Sequence, residues 1–276
     1  MGEYMNGVSF WKMSGSGNDF IIIDNRDLSI DKSNIREIIS KICRRAVSVG
    51  ADGVIFIEPS QKADFKWDFY NSDGSIAEMC GNGSRCASRF CFLNGITGKN
   101  IKFESLAGII EAEVTEGTNV KVKLTKPFDL KLDLKIPLKD RTFEASFVNT
   151  GVPHVAIEVE DIESFDVKRY GNQIRFHELF SPKGTNVNFY KILPDNSIKI
   201  RTYERGVEDE TLACGTGSAA VAFILHKKSK LKSPVELETS GGMRLFIHLS
   251  DNDDIYLEGE ARVVYKGVIT EEAYKY

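Results

Sequence analysis

The sequence predicts an α+β protein of two pseudo-symmetric domains, each a mixed, curled β-sheet around a central helix. Three observations lead there. The chain repeats itself at a constant offset; strand-like runs dominate both halves; and each half holds one long helical run opened by the same cysteine–glycine device. The offset is that between Cys80 and Cys214 (214 − 80 = 134 residues). It also carries Gly17 onto Gly151, Gly50 onto Gly184, Gly81 onto Gly215, Gly83 onto Gly217, Ser84 onto Ser218, Glu104 onto Glu238 and Gly108 onto Gly242, without a gap. Glycines stand where backbone geometry is demanding, so their recurrence marks recurring turns.

The elements follow in the same order in each half. A strand ("FIIID"; "HVAIEV") precedes a short charged helix and a second strand ("GVIFIE"; "NVNFYKI"). A third strand ends in a turn ("DFKWDFYNSDG"; "SIKIRTYERG"). The Cys-Gly-x-Gly loop and its helix come next, then terminal strands such as "IIEAEV" and "MRLFIHL". Many strands with one dominant helix per half argue for α+β. The repeat spans roughly residues 8–125 and 142–260, with "KPFDLKLDLKIPLKD" as connector. Domains are expected at 1–130 and 131–261. The final "RVVYKGVIT" strand, within about 262–276, has no evident repeat partner and is expected to pack back on the first half.

Composition bounds the function. The 276 residues are 42% hydrophobic and 28% charged with net charge −4, an ordinary soluble globular balance. A mildly acidic chain carries no electrostatic footprint for nucleic acid or an anionic membrane surface. No apolar run approaches the ~18 residues that cross a bilayer, and no signal peptide is evident. Met1–Gly7 reads as a loose tail. Five cysteines without a C-x-x-C pair suit free thiols in a reducing cytoplasm. The four histidines never fall at H-x-x-x-H spacing, and there is no Walker A loop or strand-linked G-x-G-x-x-G. No metal or organic cofactor is expected.

The chemistry sits in "AEMCGNGSRCASRF" (77–90) and "TLACGTGSAAVAFI" (211–224). Each places a cysteine at the mouth of a helix, where unpaired N–H groups and the helix dipole favour negative charge. The same field is expected to lower a thiol pKa from its ordinary ~8.5. Two such mouths could hold one carboxylate with a sulfur on each face of its α-carbon. That arrangement suits inversion of a stereocentre, which needs a base on one face and an acid on the other. Cys43, Cys86 and Cys91 read as small buried residues. A redox pair Cys80–Cys214, or a zinc site using both with His154, are the competing readings; neither explains the polar residues nearby.

"KMSGSGNDFIIID", "FYNSDGSIAEMCGNGSRC", "YERGVEDETLACGTGSAA" and "GEARVVYKG" closely resemble the diaminopimelate epimerases, from about Trp11 to Thr270. The resemblance implies an enzyme without pyridoxal phosphate that interconverts LL- and meso-2,6-diaminopimelate for lysine and peptidoglycan synthesis. It implies a homodimer whose site lies in a cleft between the two domains, and no nucleic-acid or membrane partner. Carried over by motif, Cys80 and Cys214 are the acid–base pair, and Gly81, Asn82, Gly215 and Thr216 hold the reacting carboxylate. Asn18, Asn71, Asn186, Glu204 and Arg205 match the polar substrate contacts, and His154 and Glu204 the residues that tune the thiols. Two positions depart from the family: Val152 stands where many members have Asn, and Gly53 where some have Gln. Asn149 is a candidate substitute for the first, and Asp52 reads as a turn residue. The nearest rivals in the same fold are proline racemase and hydroxyproline epimerase, which bind a ring with one carboxylate.

Overall fold

Period-two alternation governs several strands in the computed structural model, which describes residues 5–276. In Phe65–Asn71 it buries Phe65, Trp67 and Phe69 on one face. The first half runs β1 (Ser9–Gly15), β2 (Asn18–Asp24), α1 (Ile35–Ile42), β3 (Gly53–Glu58), β4 (Phe65–Asn71), α2 (Gly81–Leu93), β5 (Asn100–Ser105), β6 (Gly108–Val114) and β7 (Asn119–Lys123). The second runs β8 (Phe128–Pro137), β9 (Thr142–Asn149), β10 (Pro153–Glu158), α3 (Val167–Arg175), β11 (Asn186–Ile192), β12 (Ile198–Glu204), β13 (Asp209–Thr211), α4 (Gly215–Lys227), β14 (Val235–Thr239), β15 (Arg244–Leu249) and β16 (Ile255–Glu260). β17 (Arg262–Val268) closes the chain. Two compact units result: Met1–Val122 with Gly259–Tyr276, and Lys123–Glu258.

In the first unit the strands lie in the order β17, β1, β2, β3, β4, β5, β6, β7. Only β2·β3 and β4·β5 are parallel. A parallel pair needs a crossover, and α1 and α2 supply the two. Those helices cover opposite faces of the sheet. Ile35, Ile38, Ile39 and Ile42 of α1, at i, i+3, i+4 and i+7, pack with Ile21, Ile23, Val54 and Phe56. Cys86, Ala87, Phe90 and Cys91 of α2 pack with Phe20, Ile22, Ile55 and Ile57. A sheet buried on both faces explains why "FIIID" and "GVIFIE" are continuously apolar. The short charged helix is thus a full second layer.

The second unit repeats this order as β8, β9, β10, β11, β12, β14, β15, β16, with β10·β11 and β12·β14 parallel. α3 buries Val167, Tyr170 and Ile174 against Ile157, Val187 and Phe189. α4 is enclosed on all sides from Ala219 to Leu225, among Ile198, Ile200, Leu237 and Leu245. The offset maps α2 onto α4 end to end, and Gly17/Gly151, Gly50/Gly184 and Gly108/Gly242 share positive φ.

Three expectations are corrected. The segment read as a connector is strand β8, paired with β9. β17 pairs antiparallel with β1, as β8 does with β9, so the last strand does have a counterpart in the repeat. The first unit takes its opening strand from the end of the chain, and the same offset carries Phe128 of β8 onto Arg262 of β17 (128 + 134 = 262), so each of these strands follows its own repeat. Met5, assigned to a loose tail, is fully buried with Phe10, Ile21 and Ile269, and Gly7 N–H donates to the Ile269 carbonyl at 2.8 Å. Met1–Tyr4 lie outside the described residues.

The matched glycines at the entry to β3 and β11 differ in their surroundings. At Gly50 (φ +72°) a Cβ would stand 3.1 Å from Arg45 Cα, whereas at Gly184 (φ +65°) it would stand 2.6 Å from the Arg175 carbonyl oxygen. Gly50→Ala is expected to cost about 1 kcal/mol and Gly184→Ala about 2–3 kcal/mol, since only the second adds a backbone clash to left-handed strain. Urea denaturation of both variants measures the difference, and equal losses would contradict it.

Candidate active site

Cys80 is the N-cap of α2, in extended conformation (φ −148°, ψ 117°), and its sulfur accepts the Gly83 N–H at 3.4 Å. Its carbonyl accepts the Ser84 N–H at 2.8 Å, the first bond of the helix. Asn82, one turn from Arg85, is held at both ends of its amide. Arg85 Nη2 donates to Asn82 Oδ1 at 2.7 Å, and Asn82 Nδ2 donates to Asn18 Oδ1 at 2.6 Å. Asn18 Nδ2 donates in turn to Asp52 Oδ2 at 2.9 Å, and Arg45 Nη2 to Asp52 Oδ1 at 2.8 Å. One polar chain thus links the "GNDF" turn, the "GADG" turn and the helix mouth. Asn71 stands apart from it at the end of β4, donating through Nδ2 to Ser75 Oγ at 3.0 Å.

Cys214 caps α4 in the same extended conformation (φ −126°, ψ 105°), with its sulfur 3.6 Å from Thr216 Oγ1. Thr150 Oγ1 donates to the Thr216 carbonyl at 3.2 Å. At Gly217 a Cβ would lie 2.2 Å from Asn188 Oδ1 and 3.3 Å from the Cys214 sulfur, so only glycine fits this turn. Glu204, at the end of β12, accepts from Thr211 Oγ1 at 2.8 Å. The Arg205 N–H donates to Asn186 Oδ1 at 2.8 Å and its Nη1 to the Lys183 carbonyl at 3.3 Å. Arg205 has no ion-pair partner among the described residues. Asn186 also donates through Nδ2 to the Pro153 carbonyl at 3.1 Å, so its amide fixes both the entry to β10 and the Arg205 backbone.

The first unit therefore gathers Cys80, Gly81, Asn82 and Asn18, with Asn71 near the end of β4. The second gathers Cys214, Gly215, Thr216, Glu204, Arg205, Asn186 and His154. His154 is fully buried, with Nδ1 3.3 Å from Asn188 Nδ2 and no partner for Nε2 among the described residues. Burial, aided by the Arg205 charge, pulls its pKa down to about 3. It is a neutral imidazole near pH 7, and the Asn188 donor puts its proton on Nε2.

The thiols do not follow the expected acidification. Burial pushes Cys80 up, against the opposing pull of the Gly83 and Asn82 N–H groups and the Arg85 charge. Burial pushes Cys214 up to about 12, and the Glu204 carboxylate adds to the rise. Desolvation of a thiolate outweighs the few N–H donors a helix mouth can offer. Burial also raises Glu204 itself, which the Thr211 bond partly offsets. All five cysteines are free thiols.

Sequence reasoning passed over four residues. Asp52, read as a turn residue, accepts from Asn18, Arg45 and the Asp19 N–H. Asn188, held by the Thr202 hydroxyl, meets His154 and lies against Gly217. Arg85 is fully buried on α2. Of these, only Arg85 carried a usable signal, a charge directly beside Cys86 and Ala87 on the helix that Cys80 opens. Gly53 has a packing reason for its departure: a Cβ would stand 2.5 Å from the Tyr70 carbonyl and 2.6 Å from the Phe69 ring. Asn149 accepts the Gly151 N–H at 2.9 Å and so serves its own turn. No group of three His, Cys, Asp or Glu suited to a metal occurs among the described residues.

Comparison with solved structures identifies the fold. A phenazine biosynthesis protein of the PhzF family from Bacillus anthracis superposes with TM-score 0.71 at 14% identity, covering 95% of this chain and 98% of that one. A probable proline racemase from Agrobacterium radiobacter K84 gives 0.67 at 15% identity over 96% and 93%. At the sequence level the class is narrower, and the protein is an isomerase of the epimerase type. A family model described as diaminopimelate epimerase matches residues 10–128 and 146–264, one stretch in each repeat. A diaminopimelate epimerase of Aquifex aeolicus (strain VF5) is 46% identical across 98% of this chain and 100% of its own length. One from Archaeoglobus fulgidus is 43% identical across 95% and 96%. The chain belongs to the diaminopimelate epimerase family.

The carboxylate beside Cys214 yields a direct expectation. Glu204→Gln removes the negative charge that opposes the thiolate, so Cys214 should ionise at lower pH, by up to about one unit. The pH profile of iodoacetamide alkylation, resolved by peptide mass spectrometry, measures it. An upward shift would contradict the placement of Glu204.

Proposed function

We propose that the protein interconverts LL- and meso-2,6-diaminopimelate by two-base proton transfer, with Cys80 and Cys214 acting from opposite faces of one α-carbon. The observation that supports this most is the pair of cysteine N-caps at matched ends of α2 and α4. Proton balance is simple. One cysteine, as thiolate, takes the α-proton; the electron pair is delocalised into the α-carboxylate; the other cysteine, as thiol, delivers its proton to the opposite face. The reaction ends with thiol and thiolate exchanged. The reverse reaction uses the same two groups in exchanged roles, which is why identical residues suit both faces.

The open N–H groups of Gly81, Asn82, Gly215 and Thr216 hold the carboxylate as charge develops on it, the task for which a helix mouth is preorganised. The elevated thiol pKa values give the substrate a further role. A substrate ammonium beside the sulfur stabilises the thiolate that burial disfavours, so ionisation is coupled to binding. Arg205, which has no carboxylate partner among the described residues, takes the distal carboxylate, and Glu204 meets an ammonium group. Asn18, Asn71 and Asn186 complete the polar contacts, and His154 contributes its Nε2–H. These residues supply every proton and charge the reaction needs, so no cofactor enters the scheme. The reading includes a homodimer in the cytoplasm, a reducing compartment that suits five free thiols, and a place in lysine and peptidoglycan synthesis.

Cys80→Ser and Cys214→Ser should each lower kcat/KM for epimerisation by roughly 10²- to 10⁴-fold, because a serine hydroxyl is a poor base. If only one thiol carried the chemistry the other variant would be spared, so wild-type turnover by one of them would contradict the scheme. Arg205→Ala should lower kcat/KM by ~30- to 5,000-fold, the ~2–5 kcal/mol expected when one partner of a bound charge pair is removed. Arg205→Lys should recover only part, since an ammonium lacks the planar fork. Wild-type efficiency in Arg205→Ala, or a preference of the unaltered protein for proline, would overturn the substrate assignment while leaving the fold untouched.

A further inference from the structure

Arg85 is a fully buried guanidinium without a carboxylate partner among the described residues. Its Nη2 donates to Ser16 Oγ and Asn82 Oδ1, both at 2.7 Å, and its Nε reaches the Glu260 carbonyl at 3.5 Å. Nη1 has no partner among the described residues. An uncompensated buried charge is costly, and its retention calls for a function that needs the charge. A residue that only filled space would be apolar here, as its counterpart is. The offset of 134 places Ala219 at the matching position of α4, and Ala220 and Ala222 where α2 has Cys86 and Ser88.

The second mouth carries the opposite charge. Glu204 acts on Cys214, whereas the matching position of the first repeat is Tyr70. Two scaffolds of one topology therefore surround their cysteines with charges of opposite sign. The groups acting on Cys80 are the Gly83 and Asn82 N–H groups, the Arg85 cation of α2 and the Asp52 carboxylate before β3. Asp52 opposes Arg85 there, but it is itself tied to Arg45. On its other side Arg85 acts on Cys86, which also has Arg89 and Asp19 as charged neighbours and lies fully buried.

We propose that Arg85 is a positioning residue for the first helix mouth: it locks Ser16 and Asn82 together and supplies the buried positive charge against which Cys80 ionises. Cys214 has no such partner. The two chemically identical bases are thereby unequal: burial raises both, and Cys80 is the more readily ionised. This inference rests on the two-thiol reading, but its test does not. Ionisation means loss of the thiol proton to solvent, with no substrate involved.

The experiment is the pH dependence of alkylation of each thiol, followed by peptide mass spectrometry on the full-length protein without substrate. In the unaltered protein Cys80 should reach half-maximal reactivity at lower pH than Cys214. Arg85→Met, which keeps the bulk and removes the charge, should raise the Cys80 midpoint by roughly one unit or more and leave that of Cys214 in place. Arg85→Lys should restore most of the Cys80 midpoint, while KM for the substrate rises more than kcat falls, because an ammonium cannot bridge Ser16 and Asn82 as the guanidinium does. Equal shifts at both thiols would indicate general loosening and overturn the assignment. So would an unmoved Cys80 midpoint in Arg85→Met, or a higher midpoint for Cys80 than for Cys214 in the unaltered protein. The last comparison requires no variant to fold.

Discussion

The first backbone N–H groups of an α-helix have no carbonyl to meet within the helix, and at α2 and α4 the chain leaves them open. An N-cap side chain with an oxygen acceptor, such as serine or aspartate, would turn back and occupy them. Cysteine does so only weakly: Gly83 N–H meets the Cys80 sulfur at 3.4 Å, and Cys214 makes no cap bond at all. The glycines that follow keep the approach clear of side chains, and at Gly217 the Asn188 amide occupies the space where a Cβ would project. Much of the remaining architecture serves this exposure. Each helix is the crossover of a parallel strand pair, clamped between strands, so its mouth opens at the strand ends from which the polar residues project.

Symmetry of topology is combined with asymmetry of charge. In the first unit α2 brings polar groups into its buried face, and Arg85, Asn82, Asn18 and Asp52 form a directed hydrogen-bond chain. In the second, α4 is apolar from Ala219 to Leu225, and charge arrives instead from β12 through Glu204 and from Arg205 beyond it. Gene duplication explains two mouths; it does not explain this division. The two-base reaction we propose gives it a use, because its two identical groups must hold different protonation states at the start of every turnover. The raised pKa values of both thiols serve a separate end, since a thiol that stays protonated until substrate arrives is protected from adventitious oxidation.

Much of this was legible in the sequence, and for identifiable reasons. The offset between Cys80 and Cys214 exposed the repeat because glycines at positive φ, such as Gly50 and Gly184, tolerate no replacement without strain. The helix mouths could be located because Cys-Gly-x-Gly is local. The pairing of β17 with β8 escaped although the offset reaches it, since "FDLKLDL" (128–134) and "RVVYKGV" (262–268) share no identical residue at matched positions. Buried pairings escaped too. Asp52 in "GADG" looks like any turn aspartate until Asn18 and Arg45 are seen to meet it, and the sign of the thiol shifts depends on burial that spacing alone does not convey.

The central claim is that two thiols, not one, handle the α-proton, and solvent isotope tests it most directly. LL-diaminopimelate is incubated with the protein in deuterium oxide, and deuterium at the α-carbon is followed in substrate and product at low conversion. Two bases place a solvent-derived deuteron on the product, while substrate that returns regains its original proton. The account predicts heavily labelled meso product beside nearly unlabelled recovered substrate. Product that retained the original proton, or substrate and product labelled at equal rates, would contradict it.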